Sequence, residues 1–215
     1  MDLPLLLAAT LGAYLAGSIP FGLLVARLTG GPDPRSIGSG RTGGTNALRA
    51  LGRRRAAVVS AGDILKGTLP VLAVHSLAAQ GAEIWTSTWT VIAALFAVIG
   101  ATRSIWVGFK GGRGIATGFG TALAIAPLAL AAVAPIFLIV IWRTRIVSLG
   151  SLATAALFAP ALFIISYATT GMLDGALIAY GIVGPALVWF AHADNIARLR
   201  DGTERTFDTG MLQRD

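Results

Sequence analysis

Four clusters of glycine with polar or charged residues interrupt an otherwise apolar chain. The first runs from Gly17-Ser18-Ile19-Pro20-Phe21-Gly22 into Gly38-Ser39-Gly40-Arg41-Thr42-Gly43, with Thr45, Asn46 and Arg49 just beyond. Glycines let backbone N–H groups approach an anion closely, and Ser39, Thr45 and Arg49 can add donors. Gly38–Gly43 formally matches G-x-G-x-x-G, but no strand-turn-helix context surrounds it, so a dinucleotide site is not implied. The second cluster is Gly62-Asp63-Ile64-Leu65-Lys66-Gly67. Asp63 and Lys66 are three residues apart and share one helix face. Charges inside an apolar helix are costly, so the two should pair or face a polar cavity. The third cluster, Gly108-Phe109-Lys110-Gly111-Gly112-Arg113-Gly114, sets two cations among glycines just before a predicted helix. A helix N-terminus there suits phosphate. The fourth is His192 with Asn195, one helical turn apart. Ser148 and Ser151 follow a basic pair, Arg143 and Arg145, and can join the same site.

The gaps in this inventory narrow the chemistry. The chain has no cysteine, hence no thiolate nucleophile, disulfide or thiolate metal site. Asp63 is the sole carboxylate expected inside a helix, so no carboxylate metal cage is expected. G-x-S-x-G is absent, and His192 has no aspartate at the H-x4-D spacing. What is left is an anion site with few bases and no evident nucleophile. Such a site suits direct transfer to a phosphate-bearing acceptor by positioning and charge stabilisation.

The elements that must position these residues follow from composition. Of 215 residues, 55% are hydrophobic and 13% charged, and the mean hydropathy is +0.75. Soluble domains are about a quarter charged. A water-soluble domain and a disordered chain are therefore both excluded, and a polytopic all-α membrane bundle, one domain over 1–215, is expected. Apolar stretches fall at Leu3–Leu28, Arg55–Gln80, Thr86–Trp106, Ile115–Trp142, Ile146–Thr169 and Gly175–Ala191, with a polar tail from His192. The start, Met1-Asp2-Leu3, lacks the basic region of a cleavable leader, so the first stretch is expected to be retained.

The net charge of +7 is read by position, not as affinity for nucleic acid. Sixteen of the 17 lysines and arginines lie in four segments: Arg27–Arg55, Arg103–Arg113, Arg143–Arg145 and Arg198–Arg214. The linkers Gly81–Trp85 and Thr170–Asp174 carry none. The positive-inside rule then predicts a cytoplasmic C-terminus, an outside N-terminus and polar clusters on the cytoplasmic face. Two consecutive basic segments flank Ile115–Trp142, so that stretch must cross twice. Pro127 and Pro135 lie within it, which predicts two short helices, Ile115–Ala126 and Leu128–Trp142, and seven helices in all.

These clusters, in this order and over nearly the whole chain, resemble the bacterial acyl-phosphate:glycerol-3-phosphate acyltransferases. The resemblance rests on Gly17–Gly22, Gly38–Asn46 with Arg49, Asp63–Gly67, Lys110–Gly114 and His192 with Asn195. It implies seven helices and transfer of a fatty acyl group from acyl phosphate to the sn-1 hydroxyl of glycerol 3-phosphate. The products would be lysophosphatidate and inorganic phosphate, as the first acylation of phospholipid synthesis in the bacterial inner membrane. It implies no cofactor and no metal, membrane lipid as surroundings, and a monomer. Ser39, Asn46, Arg49, Asp63, Lys66, Lys110, Gly112, Arg113, Ser148 and Ser151 would bind substrate, and His192 and Asn195 would sit at the reaction centre. This chain departs from the family pattern at Arg41, Gly44, Arg113 and Ala193, where the family usually has Asn, Ala, Lys and Arg. A paralogue with another phosphorylated acceptor, a transporter of an anionic metabolite and a lipid-binding scaffold are the other readings of the same residues.

Overall fold

The computed structural model describes residues 3–80 and 86–206. The expected outer linker Gly81–Trp85, the first two residues and Arg214 lie outside the described residues. Ten α-helices are present among those described: α1 (Leu3–Ser18), α2 (Phe21–Leu28), α3 (Gly44–Leu51), α4 (Arg53–Ala78), α5 (Thr86–Thr102), α6 (Ile115–Ile125), α7 (Pro127–Thr144), α8 (Val147–Thr170), α9 (Gly175–Ala191) and α10 (Ala193–Arg200). Four helices are long and apolar enough to cross a bilayer, or six if each bent pair, α1 with α2 and α9 with α10, is one span. The eleven-residue α6 is apolar but shorter than a bilayer core.

The expected split of Ile115–Trp142 occurs where proline predicts it. α6 ends at Ile125, and α7 opens on Pro127, whose missing N–H costs nothing at a first helical position. Pro135 does not break α7. One expectation is corrected: the stretch Leu3–Leu28 is not one helix but breaks at Ile19-Pro20 and bends by 54°. Between the first two apolar stretches Gly44–Leu51 forms α3, which packs on α4. The polar tail from His192 begins as α10, set at 64° to α9.

α5 sits at the centre, against α1, α4, α6 and α9. Its buried face is built from small residues, among them Ala93, Ala94, Ala97, Gly100 and Ala101. Without a hydrophobic drive between helices in lipid, close backbone approach supplies the packing, and small residues permit it. Two reciprocal glycine pairs show how close. A Cβ on Gly17 would strike the Ala97 carbonyl, and one on Gly100 the Tyr14 carbonyl, so α1 and α5 touch backbone to backbone. Gly67 and Gly120 do the same for α4 and α6, against the Thr117 and Ile64 carbonyls. One half of the bundle packs around Val71, Val91, Val133, Phe158 and Tyr180.

The break at Pro20 is held by the second polar cluster. Lys66 Nζ donates to the Ile19 carbonyl at 2.9 Å and pairs with Asp63 Oδ1 at 2.7 Å. Both side chains are buried. Removing one partner of a buried pair leaves an uncompensated charge, which is far more costly than removing both. Lys66→Met is therefore expected to cost roughly 3–5 kcal/mol, read as a lowered Tm in detergent, and Asp63→Asn added to it should recover part of the loss.

Candidate active site

The other half of the bundle opens into a cavity of about 330 Å³. The ends of α5 and α9 and the starts of α3, α6 and α8 meet around it, and the polar half of α4 forms one wall. All four sequence clusters reach this region.

The first glycine loop is shaped by one amide. Asn46, 3% exposed, donates through Nδ2 to the carbonyls of Ile37 and Arg41 at 3.2 and 3.0 Å, and its Oδ1 accepts from Arg49 Nη1 at 3.1 Å. Gly38 has φ +58°, and a Cβ there would crowd Asn46 Oδ1. The loop thus wraps around Asn46, whose polar atoms serve the loop, and Ser39, Asn46 and Arg49 all line the cavity. Burial lowers the Arg49 pKa first, and the neighbouring Arg205 lowers it further, against a smaller opposing pull from Glu204.

The second glycine loop folds back over the end of α5: Gly111 and Gly112 donate to the carbonyls of Thr102 and Ala101. Gly108 and Phe109 both take left-handed backbone, at φ +62° and +61°. The turn brings Gly112 and Arg113 to the cavity and leaves Lys110 exposed and outside its lining. The sequence put Lys110 with Arg113 in one phosphate loop; the fold separates them. Arg113 Nη2 donates to Asp194 Oδ2 at 3.1 Å, and its Nε is buried with no hydrogen-bond partner among the described residues.

His192, 2% exposed, lies at the junction of α9 and α10. Its Nδ1 is 2.8 Å from the Val188 carbonyl. A carbonyl can only accept, so Nδ1 carries the proton, and a neutral ring keeps its lone pair on Nε2. Asn195 is 2% exposed and lines the same wall, with Oδ1 buried and unpartnered among the described residues. Ser148 and Ser151 complete this side. Ser151 donates to the Val147 carbonyl of its own helix. Asp63 and Lys66 line the cavity as a pair already engaged with each other.

Glu204 was not anticipated. Gly202, at φ +69°, turns the chain back after α10, and Glu204 then accepts from Asn195 Nδ2 at 2.6 Å, Ser148 Oγ at 2.9 Å and Arg198 Nε at 2.7 Å. The usable signal was a glycine one step past a helix with an acid behind it, a common chain reversal. Burial alone would raise the Glu204 pKa, but the hydrogen bonds from Asn195, Arg198 and Ser148 outweigh it and hold it below the ordinary value of 4.5. Over the whole cavity lining, five basic side chains (Arg41, Arg49, Lys66, Arg113 and Arg205) face two carboxylates, Asp63 and Glu204.

The helices are long and apolar enough for a membrane bundle, and the basic, glycine-walled cavity at one end has the charge to suit an anion. Against known proteins the match is specific. A profile described as glycerol-3-phosphate acyltransferase covers residues 7–202. Proteins named glycerol-3-phosphate acyltransferase from Geotalea daltonii and a Synechococcus strain are 41% and 45% identical, covering 92% of this chain in each case and 95% and 92% of theirs. Crystal structures of PlsY (YgiH), an integral membrane glycerol 3-phosphate acyltransferase, in its glycerol 3-phosphate and lysophosphatidic acid forms, superpose with TM-scores of 0.84 and 0.83 at 33% and 32% identity. Each covers 97% of this chain and 98% of the solved one. The chain belongs to the glycerol-3-phosphate acyltransferase family and is an integral membrane acyltransferase of phospholipid synthesis. The transporter and scaffold readings are set aside by that membership.

A glutamate with a depressed folded-state pKa contributes stability above its unfolded pKa and loses it as pH falls through the folded value. The Tm gap between Glu204→Gln and the parent is therefore expected to be full above about pH 5 and to narrow below 4.5. Thermal unfolding across that range checks it.

Proposed function

We infer that the protein transfers a fatty acyl group from acyl phosphate to the sn-1 hydroxyl of glycerol 3-phosphate, releasing lysophosphatidate and inorganic phosphate. The observation that carries this is the excess of basic side chains over acids around one cavity. Two phosphate groups must be held close together for this reaction, and a net positive, partly dehydrated pocket supports that. The family's name supplies the acceptor. An activated donor is supported by a sequence with no cysteine and no G-x-S-x-G.

In this account Ser39, Arg49 and the start of α3 hold one phosphate, and Gly112, Arg113 and the start of α6 hold the other. The acceptor oxygen attacks the acyl carbonyl, the carbon–oxygen bond to phosphate breaks, and the hydroxyl proton ends on the released phosphate. His192 Nε2 orients or relays that proton, and Asn195 steadies the acyl carbonyl. Ser148 sets Glu204 against Asn195. Asp63 and Lys66 shape the wall, and Asn46 shapes the loop. A second, apolar cavity of about 60 Å³ adjoins the first through Ile115, Phe119 and Ser151 and supports a place for the start of the acyl chain.

The topology proposed with it has seven crossings by α1, α4, α5, α6, α7, α8 and α9, in the bacterial plasma membrane. The N-terminus is outside and the cavity faces the cytoplasm. The support is the charge pattern, since the basic segments flank the helix ends that form the cavity. One domain over 1–215, acting as a monomer, suffices.

With palmitoyl phosphate, purified protein in lipid is expected to release phosphate only when glycerol 3-phosphate is present, with matching lysophosphatidate and no turnover of palmitoyl-CoA. His192→Ala should lower kcat by roughly 10²–10⁴, the range for a lost proton-transfer group. Arg49→Ala should instead act mainly on a KM, by roughly ten-fold or more. Equal phosphate release with and without acceptor, or no release from folded protein, would end this reading.

A further inference from the structure

Asp194 lies in the first turn of α10, with nearly half of its side chain exposed, and it is not part of the cavity wall. Three guanidinium groups nevertheless gather on its carboxylate: Arg113 Nη2 at 3.1 Å, Arg41 Nη2 at 3.9 Å and Arg198 Nη1 at 3.9 Å. They come from three segments of the chain. Arg41 belongs to the loop before α3, Arg113 to the turn before α6, and Arg198 to the next turn of α10. Arg41 also donates to the Gly111 carbonyl at 3.3 Å, which ties the two glycine loops together. Like charges at this spacing repel unless an anion lies among them.

The charges do not cancel evenly. Arg198 has a second acid, Glu204, at 2.7 Å. Asp194 is then left to offset Arg41 and Arg113, and these are the two of the three that line the cavity. The surplus positive charge therefore faces inward. Arg113 gives its Nη2 to Asp194, and its buried Nε has no hydrogen-bond partner among the described residues. A guanidinium tethered through one nitrogen keeps further donors for a tetrahedral oxyanion.

We propose that Asp194 is a positioning residue of the transfer reaction: it draws Arg41 and Arg113 from two separate loops to one side of the cavity and aims them as a pair at a substrate phosphate. Arg41 is thereby part of the phosphate site. The proposal rests on the acyltransferase reading above. It differs from a mere clasp, which would alter stability alone, and from a competing anion, whose removal would tighten phosphate binding.

The test is steady-state kinetics in lipid with both substrates varied, using Asp194→Asn, Asp194→Glu, Arg41→Gln, Arg113→Gln and the Asp194→Asn/Arg113→Gln double variant. Asp194→Asn is expected to raise the KM for one phosphate-bearing substrate, and the Ki of inorganic phosphate with it, by roughly five-fold or more, the scale of one charge-assisted contact. The kcat should stay within about three-fold, since binding rather than a transition-state contact is lost. Asp194→Glu should restore most of the KM. Arg41→Gln should raise the same KM, and Asp194→Asn should add less on top of Arg113→Gln than it does alone, with Arg41 still to be placed. An unchanged or lowered KM, a kcat loss alone, or the full Asp194→Asn effect persisting beside Arg113→Gln overturns the proposal. If Asp194→Asn fails to fold, Arg41→Gln and Asp194→Glu decide it: no KM change in Arg41→Gln is then the overturning result. A parent protein that transfers no acyl group brings down the enzyme reading and this proposal with it. A parent that does, beside an Asp194→Asn indistinguishable from it, brings down this proposal alone.

Discussion

Repulsion among the arginines around the cavity governs how the basic end of the bundle is built. Arg41, Arg49, Arg113, Arg198 and Arg205 converge from loops and helix ends far apart in the chain. Such a gathering holds only with anions set among the cations, and the protein supplies two. Glu204 ties α8 to α10 through Ser148, Asn195 and Arg198, and Asp194 ties both glycine loops to α10. The two acids leave the site net positive, which suits phosphate.

Those carboxylates can act only because the helices behind them are fixed. The backbone contacts at Gly17 and Gly100, and at Gly67 and Gly120, lock α1 to α5 and α4 to α6. Lys66 then secures the bend at Pro20, and Ser104, at the end of α5, donates to the Ser18 carbonyl at 2.5 Å. The apolar half of the bundle is thus a rigid frame. The polar half hangs from it as short loops whose shape is set by side chains such as Asn46.

Much of this was legible in the residues. Hydropathy marked the long helices, and Pro127 marked a break because proline is well placed at a helix start. Proline at position 20 was equally visible, yet the apolar run continues through Leu28, so hydropathy hid the bend. α3 was missed because an eight-residue amphipathic helix depends on packing against α4, a tertiary contact. His192, Asn195, Ser39, Arg49 and Arg113 stand out in the sequence as polar groups in an apolar chain, and the fold gathers them around one cavity. Lys110 was grouped with Arg113 by spacing, but two left-handed residues turn it away. Glu204 lies in a polar tail whose one local signal is Gly202, and the reversal there returns it to the site.

In the reaction proposed above acyl transfer is direct, with no acyl group ever carried by the protein. Isotope exchange tests this most simply: the enzyme is incubated with palmitoyl phosphate and labelled inorganic phosphate, without glycerol 3-phosphate. Direct transfer predicts no label in the acyl phosphate, however long the incubation. Label appearing there at a rate comparable to turnover would mean a covalent acyl-enzyme, and would contradict the account.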